Sequence, residues 1–133
     1  MFQALDMGAS GLQAQRTRLD TIAANILQIN TTHNAKGEIA PYRRRFVVFR
    51  PGQAGDPAKA GVRADVKLDK SPFQRRYEPG HPDADKDGYV LYPNIDLSIE
   101  YVNAMEASRA YEANVTMMET TKAMLNSSLR LIA

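Results

Sequence analysis

The chain has 133 residues, no cysteine, and a net charge of +2 from 17 basic and 15 acidic side chains. That length holds one domain, or a helical stem with one small insertion. The missing cysteine excludes disulfide and thiolate chemistry, and so small a charge does not by itself imply a nucleic-acid partner. Hydrophobic content of 44% and charged content of 24% suit a folded soluble chain, yet tryptophan is absent and only four phenylalanines are present, so no large core is expected.

The first predicted element is a helix over residues 2–29. Leu5, Leu12, Leu19 and Ile26 recur every seven residues, with Ile22 and Ile29 at alternate positions. Such a stripe lies along one side of a helix and needs a partner surface. Gly8 and Gly11 oppose helix by about 1 kcal/mol each relative to alanine, unless they admit a neighbouring helix at close range. The helix is therefore expected to be marginal alone and stable when packed. It should stop in the polar, turn-rich run from Asn30 to Gly37.

The middle, residues 31–93, reads as short strands and loops. Tyr42 to Arg50 is aromatic and β-branched. A loop follows from Pro51 to Pro57. Val62, Ala64, Val66 and Leu68 alternate with Arg63, Asp65 and Lys67, the pattern of a half-buried strand. Phe73 to Tyr77 and Tyr89 to Tyr92 are two more candidates, separated by a polar loop from Glu78 to Gly88.

The last segment, residues 94–133, returns to helical spacing. Asn94 or Asp96 offers an N-cap, and Glu100 suits a first turn. Ala104, Tyr111, Met118, Leu125 and Ile132 fall every seven residues, with Val115 and Leu129 between them. The fold class expected is α+β: terminal helices paired as a coiled-coil-like stem, with a small β-rich excursion. Charge follows the same division. Residues 36–92 carry 12 basic and 8 acidic side chains, residues 93–133 carry 3 and 5.

The chemical motifs are weak. Asp83-x-Asp85-x-Asp87-Gly88 matches the first half of an EF-hand loop, but position 12 is Asn94 and Pro79 and Pro82 forbid an entering helix. A polar turn is the better reading. His33 and His81 lie 48 residues apart and form no helical metal pair. No nucleophile-elbow glycines or phosphate-binding loop occur, so neither enzyme, metal nor cofactor is expected. Arg43-Arg44-Arg45 and Arg75-Arg76, near Tyr42, Phe46, Phe73 and Tyr77, keep open a second reading, a small basic nucleic-acid-binding module on a helical stem. The helical methionines, Met105, Met117, Met118 and Met124, read as adaptable packing. The start lacks a basic n-region, and Gln3, Asp6, Ser10 and Gln13 interrupt any apolar signal core. Composition alone implies a cytoplasmic chain, unless export uses an uncleaved signal.

Several stretches resemble the bacterial flagellar rod and hook axial proteins. Ser10-Gly11, Arg16, Asn25 and Asn30-Thr31 are similar to the start shared by that family. Pro79-Gly80-His81-Pro82-Asp83 with Asp85, Gly88 and Tyr89, and then Arg109, Tyr111, Glu112 and Asn114, resemble the more specific pattern of its short proximal-rod members. The resemblance implies a non-enzymatic structural subunit of the basal-body rod. Its terminal helices would form the inner layer of a hollow, torque-transmitting tube, through Leu5, Leu12, Leu19, Ile22, Ile26, Ile29, Ala104, Tyr111, Val115, Met118, Leu125 and Leu129. It implies as partners further copies of the chain, FlgB, FlgF, FlgG and FliE, with no nucleic acid and no membrane insertion. It implies a periplasmic rod location, reached through the flagellar type III apparatus without a cleaved signal peptide.

Overall fold

The computed structural model describes residues 2–53, 55–56 and 60–133. Within the expected loop from Pro51 to Pro57, Ala54 and Pro57 lie outside the described residues, as does Met1 at the start. The elements run α1 (Phe2–Leu27), β1 (Arg45–Pro51), β2 (Val62–Leu68), β3 (Gln74–Tyr77), β4 (Tyr89–Tyr92) and α2 (Leu97–Ile132). The architecture is α+β, with two long helices side by side and two separate two-stranded sheets between them in sequence.

The helices are antiparallel. Gly8 faces Met118, Gly11 faces Asn114, and Arg18 Nη2 lies 3.4 Å from Glu106 Oε2. A Cβ added at Gly8 would stand 2.7 Å from Met118 Cγ. The glycine that weakens the isolated helix is thus what lets α2 approach. At 1.5 Å per residue, α1 spans about 39 Å and α2 about 54 Å, so α2 continues well past Phe2.

Both helix boundaries have local causes. α1 ends two residues earlier than its apolar stripe predicts. Gln28 N–H bonds to the carbonyls of both Ala24 and Asn25, and Ile29 N–H reaches back only to Ile26, which tightens the last turn. Asp96 caps α2, its carboxylate accepting from the N–H groups of Ser98 and Ile99 at 2.9 and 3.4 Å.

β1 and β2 form an antiparallel hairpin that packs on α1. Its register sets Val47 against Val66 and Phe49 against Ala64 on an apolar face. Val48 meets Asp65 and Arg50 meets Arg63 on the other. Tyr42 does not begin the strand, because its N–H bonds to Thr31 O and Ala40 N–H bonds to Thr32 O. That segment folds back on the end of α1 before β1 starts. Ser10 joins helix and hairpin, its hydroxyl accepting from Val62 N–H at 3.0 Å. β3 and β4 pair Gln74 with Tyr92 and Tyr77 with Tyr89 across the loop that the acidic residues close.

Among the described residues, buried apolar side chains are few: Ala14, Ile22, Val90, Tyr92, Pro93, Ile95 and Ala107. Four of them sit on β4 or the turn into α2, so burial concentrates where the excursion rejoins the stem.

Candidate assembly surface

The junction between stem and excursion is held by polar groups. Asn25 is fully buried on the last turns of α1. Its amide donates to Arg45 O at 2.7 Å and its carbonyl accepts from Arg45 N–H at 3.0 Å. One side chain therefore supplies both hydrogen bonds that a neighbouring strand would give the first residue of β1. Glu100, 1% exposed on the first turn of α2, accepts from Arg44 Nε at 2.6 Å, and the same guanidinium reaches Asp69 at 3.4 Å. The other Glu100 oxygen is buried without a hydrogen-bond partner.

The acidic loop is tied to the same end. Thr32 Oγ1 donates to Asp83 Oδ2 at 2.6 Å, and His33 Nδ1 lies 3.1 Å from that oxygen. The Thr32 hydroxyl, helped by His33 and opposed by burial, holds the Asp83 carboxyl below its ordinary value. His81 Nδ1 accepts from Asp83 N–H, and Tyr92 donates to Glu78 at 2.7 Å, which raises the Tyr92 pKa. Asp85 accepts from the N–H groups of Asp87 and Tyr89, both at 2.9 Å. Gly88 turns the chain at φ +83°, where an added Cβ would meet the Tyr77 ring at 2.9 Å. The Asp83, Asp85 and Asp87 run thus closes a turn and clamps it to Thr32 and His33.

The arginines are similarly engaged. Arg43 stacks on Phe73 at 4.1 Å and donates to Ser71 O, Arg75 lies over Tyr89 and Arg76 over Tyr92. Arg44 is spent on Glu100. These contacts order the excursion and occupy the rings of Phe73, Tyr89 and Tyr92.

The stem looks different. Of the residues expected to form an interface, Ile22 is buried. Leu5, Leu12, Leu19, Ile26, Ile29, Ala104, Tyr111, Val115, Met118 and Leu125 are half-buried, and Leu129 is 61% exposed. Alternate positions of the α2 seam are taken by Ala107, Asn114, Thr121 and Ser128, which are small or polar and which an apolar search passes over. Sequence reasoning named Arg44 in a basic cluster without its pairing to Glu100, did not foresee the Thr32 contact to Asp83, and read Glu100 only as a first-turn charge.

The motif residues divide into two groups. Ser10, Gly11, Asn25, His81, Asp83, Asp85, Gly88 and Asn114 make contacts within the chain, and Thr31 and Tyr111 are half-buried. Arg16, Asn30, Pro79, Gly80, Pro82, Tyr89, Arg109 and Glu112 are exposed.

Comparison with known proteins agrees with this anatomy. Residues 5–36 match the family described as flagella basal body rod protein, and residues 86–131 match the family described as flagellar basal body rod FlgEFG protein C-terminal. The flagellar basal-body rod protein FlgC of Escherichia coli is 42% identical over 127 residues, covering 95% of this chain and 93% of its own. The FlgC of Borreliella burgdorferi is 37% identical, covering 99% and 97%. The FlgC of Bacillus subtilis is 36% identical, covering 98% and 97%. The chain belongs to the FlgC family of flagellar basal-body rod proteins. As a FlgC-family chain it is a structural rod subunit, and the nucleic-acid reading of its arginines is not supported. The two matched regions are the two ends of this chain that form the stem, together with the segment leading into α2. No helix among the described residues is long and apolar enough to cross a membrane.

Proposed function

We propose that the paired helices form the inner wall of a hollow rod, with the two small sheets outside it. The half-buried stripe of the stem meets neighbouring subunits. The carrying observation is that only Ile22 among the twelve stripe residues is buried in the folded chain. Apolar surface left in water at this regular spacing is stabilised by further helices. The neighbours we assign are copies of this chain, FlgB, FlgF, FlgG and FliE. The exposed motif residues Arg16, Arg109 and Glu112 are candidate contacts. The role is mechanical and non-enzymatic: the tube carries torque and passes exported subunits.

We further propose export through the flagellar type III apparatus without signal cleavage. A stem weakened by Gly8 and Gly11 travels unpaired and orders when neighbours supply their stripes, so folding and assembly are coupled. Leu12→Asp and Leu125→Asp test the interface. Each places a charge where the assembled wall would bury it. Both variants should be expressed and missing from purified basal bodies, and the cells should lose motility. Normal motility with both variants would refute the interface.

A further inference from the structure

The two histidines of the chain, His33 and His81, meet at one residue, Asp83, and they meet it in opposite ways. His33 Nδ1 lies 3.1 Å from Asp83 Oδ2, the oxygen that also accepts from the Thr32 hydroxyl. A carboxylate only accepts, so this contact needs a hydrogen on His33 Nδ1, which a neutral ring or an imidazolium can carry. On the other side, the Asp83 backbone N–H donates to His81 Nδ1 at 3.0 Å. An amide N–H only donates, so His81 Nδ1 must hold a lone pair. The His81 ring is therefore neutral with its hydrogen on Nε2. An imidazolium donates from both nitrogens and cannot make this bond.

The surroundings of His81 decide where a charged ring would go. The ring is half-buried and sets its edge against Tyr92 of β4, with 6.2 Å between ring centroids. Glu78 and Asp83 flank it on its own loop. The Tyr92 hydroxyl donates to Glu78, and the Arg76 guanidinium of β3 lies 4.5 Å over the Tyr92 ring. His33 stands beyond the Asp83 carboxylate, and Asp85 spends its own on the N–H groups of Asp87 and Tyr89. The turn itself does not depend on the His81 ring. It is held by His81 N–H on Glu78 O and by Ala84 N–H on His81 O.

We propose that His81 is a pH-sensitive latch on the acidic loop. Neutral, it holds the Asp83 backbone; protonated, it lets go, while Thr32 and His33 keep the Asp83 side chain anchored beyond the end of α1. The proton arrives at Nδ1, the atom that faces Asp83 N–H, and two N–H groups then point at each other. The ring turns off the backbone toward the carboxylates of Asp83 and Glu78, and Asp83 N–H is left to water. Imidazoles change charge between about pH 5 and 8. Asp83, whose carboxyl is held below 3.8, stays ionised throughout that range, so the anchor persists while the latch opens. Exposed Pro79, Gly80 and Pro82 flank His81. The surface at this edge of the excursion therefore changes with the charge of one ring, whatever the stem assembles with.

The test is NMR of the purified full chain between about pH 5 and 8. At the upper end of that range the His81 ring nitrogens should report hydrogen on Nε2 and none on Nδ1. Amide exchange at Asp83, corrected for the intrinsic effect of pH, should quicken about fivefold toward the lower end, the factor that one ordinary hydrogen bond is worth. His81→Asn separates the acceptor from the titration. An asparagine oxygen also accepts from the N–H two residues on and does not change charge, so Asp83 should stay protected throughout. His33→Gln keeps a donor for the Asp83 carboxylate and should leave the pH dependence in place. A neutral His81 ring with its hydrogen on Nδ1 overturns the latch. So does Asp83 exchange that is flat with pH in the native chain, or a pH dependence that survives His81→Asn. The tautomer and the native exchange profile need no variant, and they decide the outcome should His81→Asn fail to fold.

Discussion

The two ends of the stem solve opposite problems. Where the excursion rejoins the helices, polar side chains are buried and paired: Asn25 with β1, Glu100 with Arg44, Asp83 with Thr32. At the far end, leucines and isoleucines on α2 remain in water. At the first end each buried side-chain donor or acceptor among the described residues, apart from one Glu100 oxygen, has a partner, while Leu27, Ile99 and Val102 nearby stay exposed. The second end is unfinished, because its apolar side chains have no second surface to cover them. A subunit built in this way fixes its buried polar contacts at the junction and leaves the tip of α2 apolar and exposed.

Substitutions at the two ends should therefore fail differently. The largest effect is expected from Arg44→Ala, which leaves the Glu100 carboxylate buried without its cation. A broken buried pair costs about 3–5 kcal/mol, which denaturant unfolding of the purified chain would register. A loss below 1 kcal/mol would show that Glu100 is not held by Arg44. Asn25→Ala comes next. It strips both bonds from the Arg45 backbone and should cost about 1–3 kcal/mol, with faster amide exchange at Arg45 as its local signature.

Acid should weaken the same end. The folded Asp83 carboxyl is more acidic than the unfolded one, whose value is 3.8. The clamp therefore contributes fully above that value and is lost as the pH falls through the lower folded one. Asp69, lowered chiefly by Ser71, acts in the same direction. Asp83→Asn should flatten part of the acid-unfolding curve followed by circular dichroism, and an unchanged curve would separate the clamp from stability. The smallest effect on the monomer is expected from Leu129→Ser, within about 0.5 kcal/mol because the side chain is exposed. Its consequence should instead be weaker incorporation into basal bodies. A variant that unfolded the monomer would erase the contrast between the two ends.

The sequence alone determined the helices, because period-seven stripes and a capping residue at Asn94 or Asp96 are local signals that survive without tertiary context. Strict alternation did the same for β2, and the motifs from Ser10 to Asn114 pointed to the rod family. The early end of α1 and the late start of β1 could not be read that way. The first turns on a tightened final turn that the apolar stripe does not register, and the second on the bond from Tyr42 N–H back to Thr31. The acidic run from Asp83 to Asp87 looked like half of a calcium loop, and only the fold brought Thr32 to its first carboxylate across 51 residues. Likewise, an arginine triplet reads as surface charge until packing places Arg44 against Glu100. A stripe shows that a helix needs a partner. How much of that need one copy meets depends on which residues face which, and here tertiary packing leaves the tip of α2 uncovered.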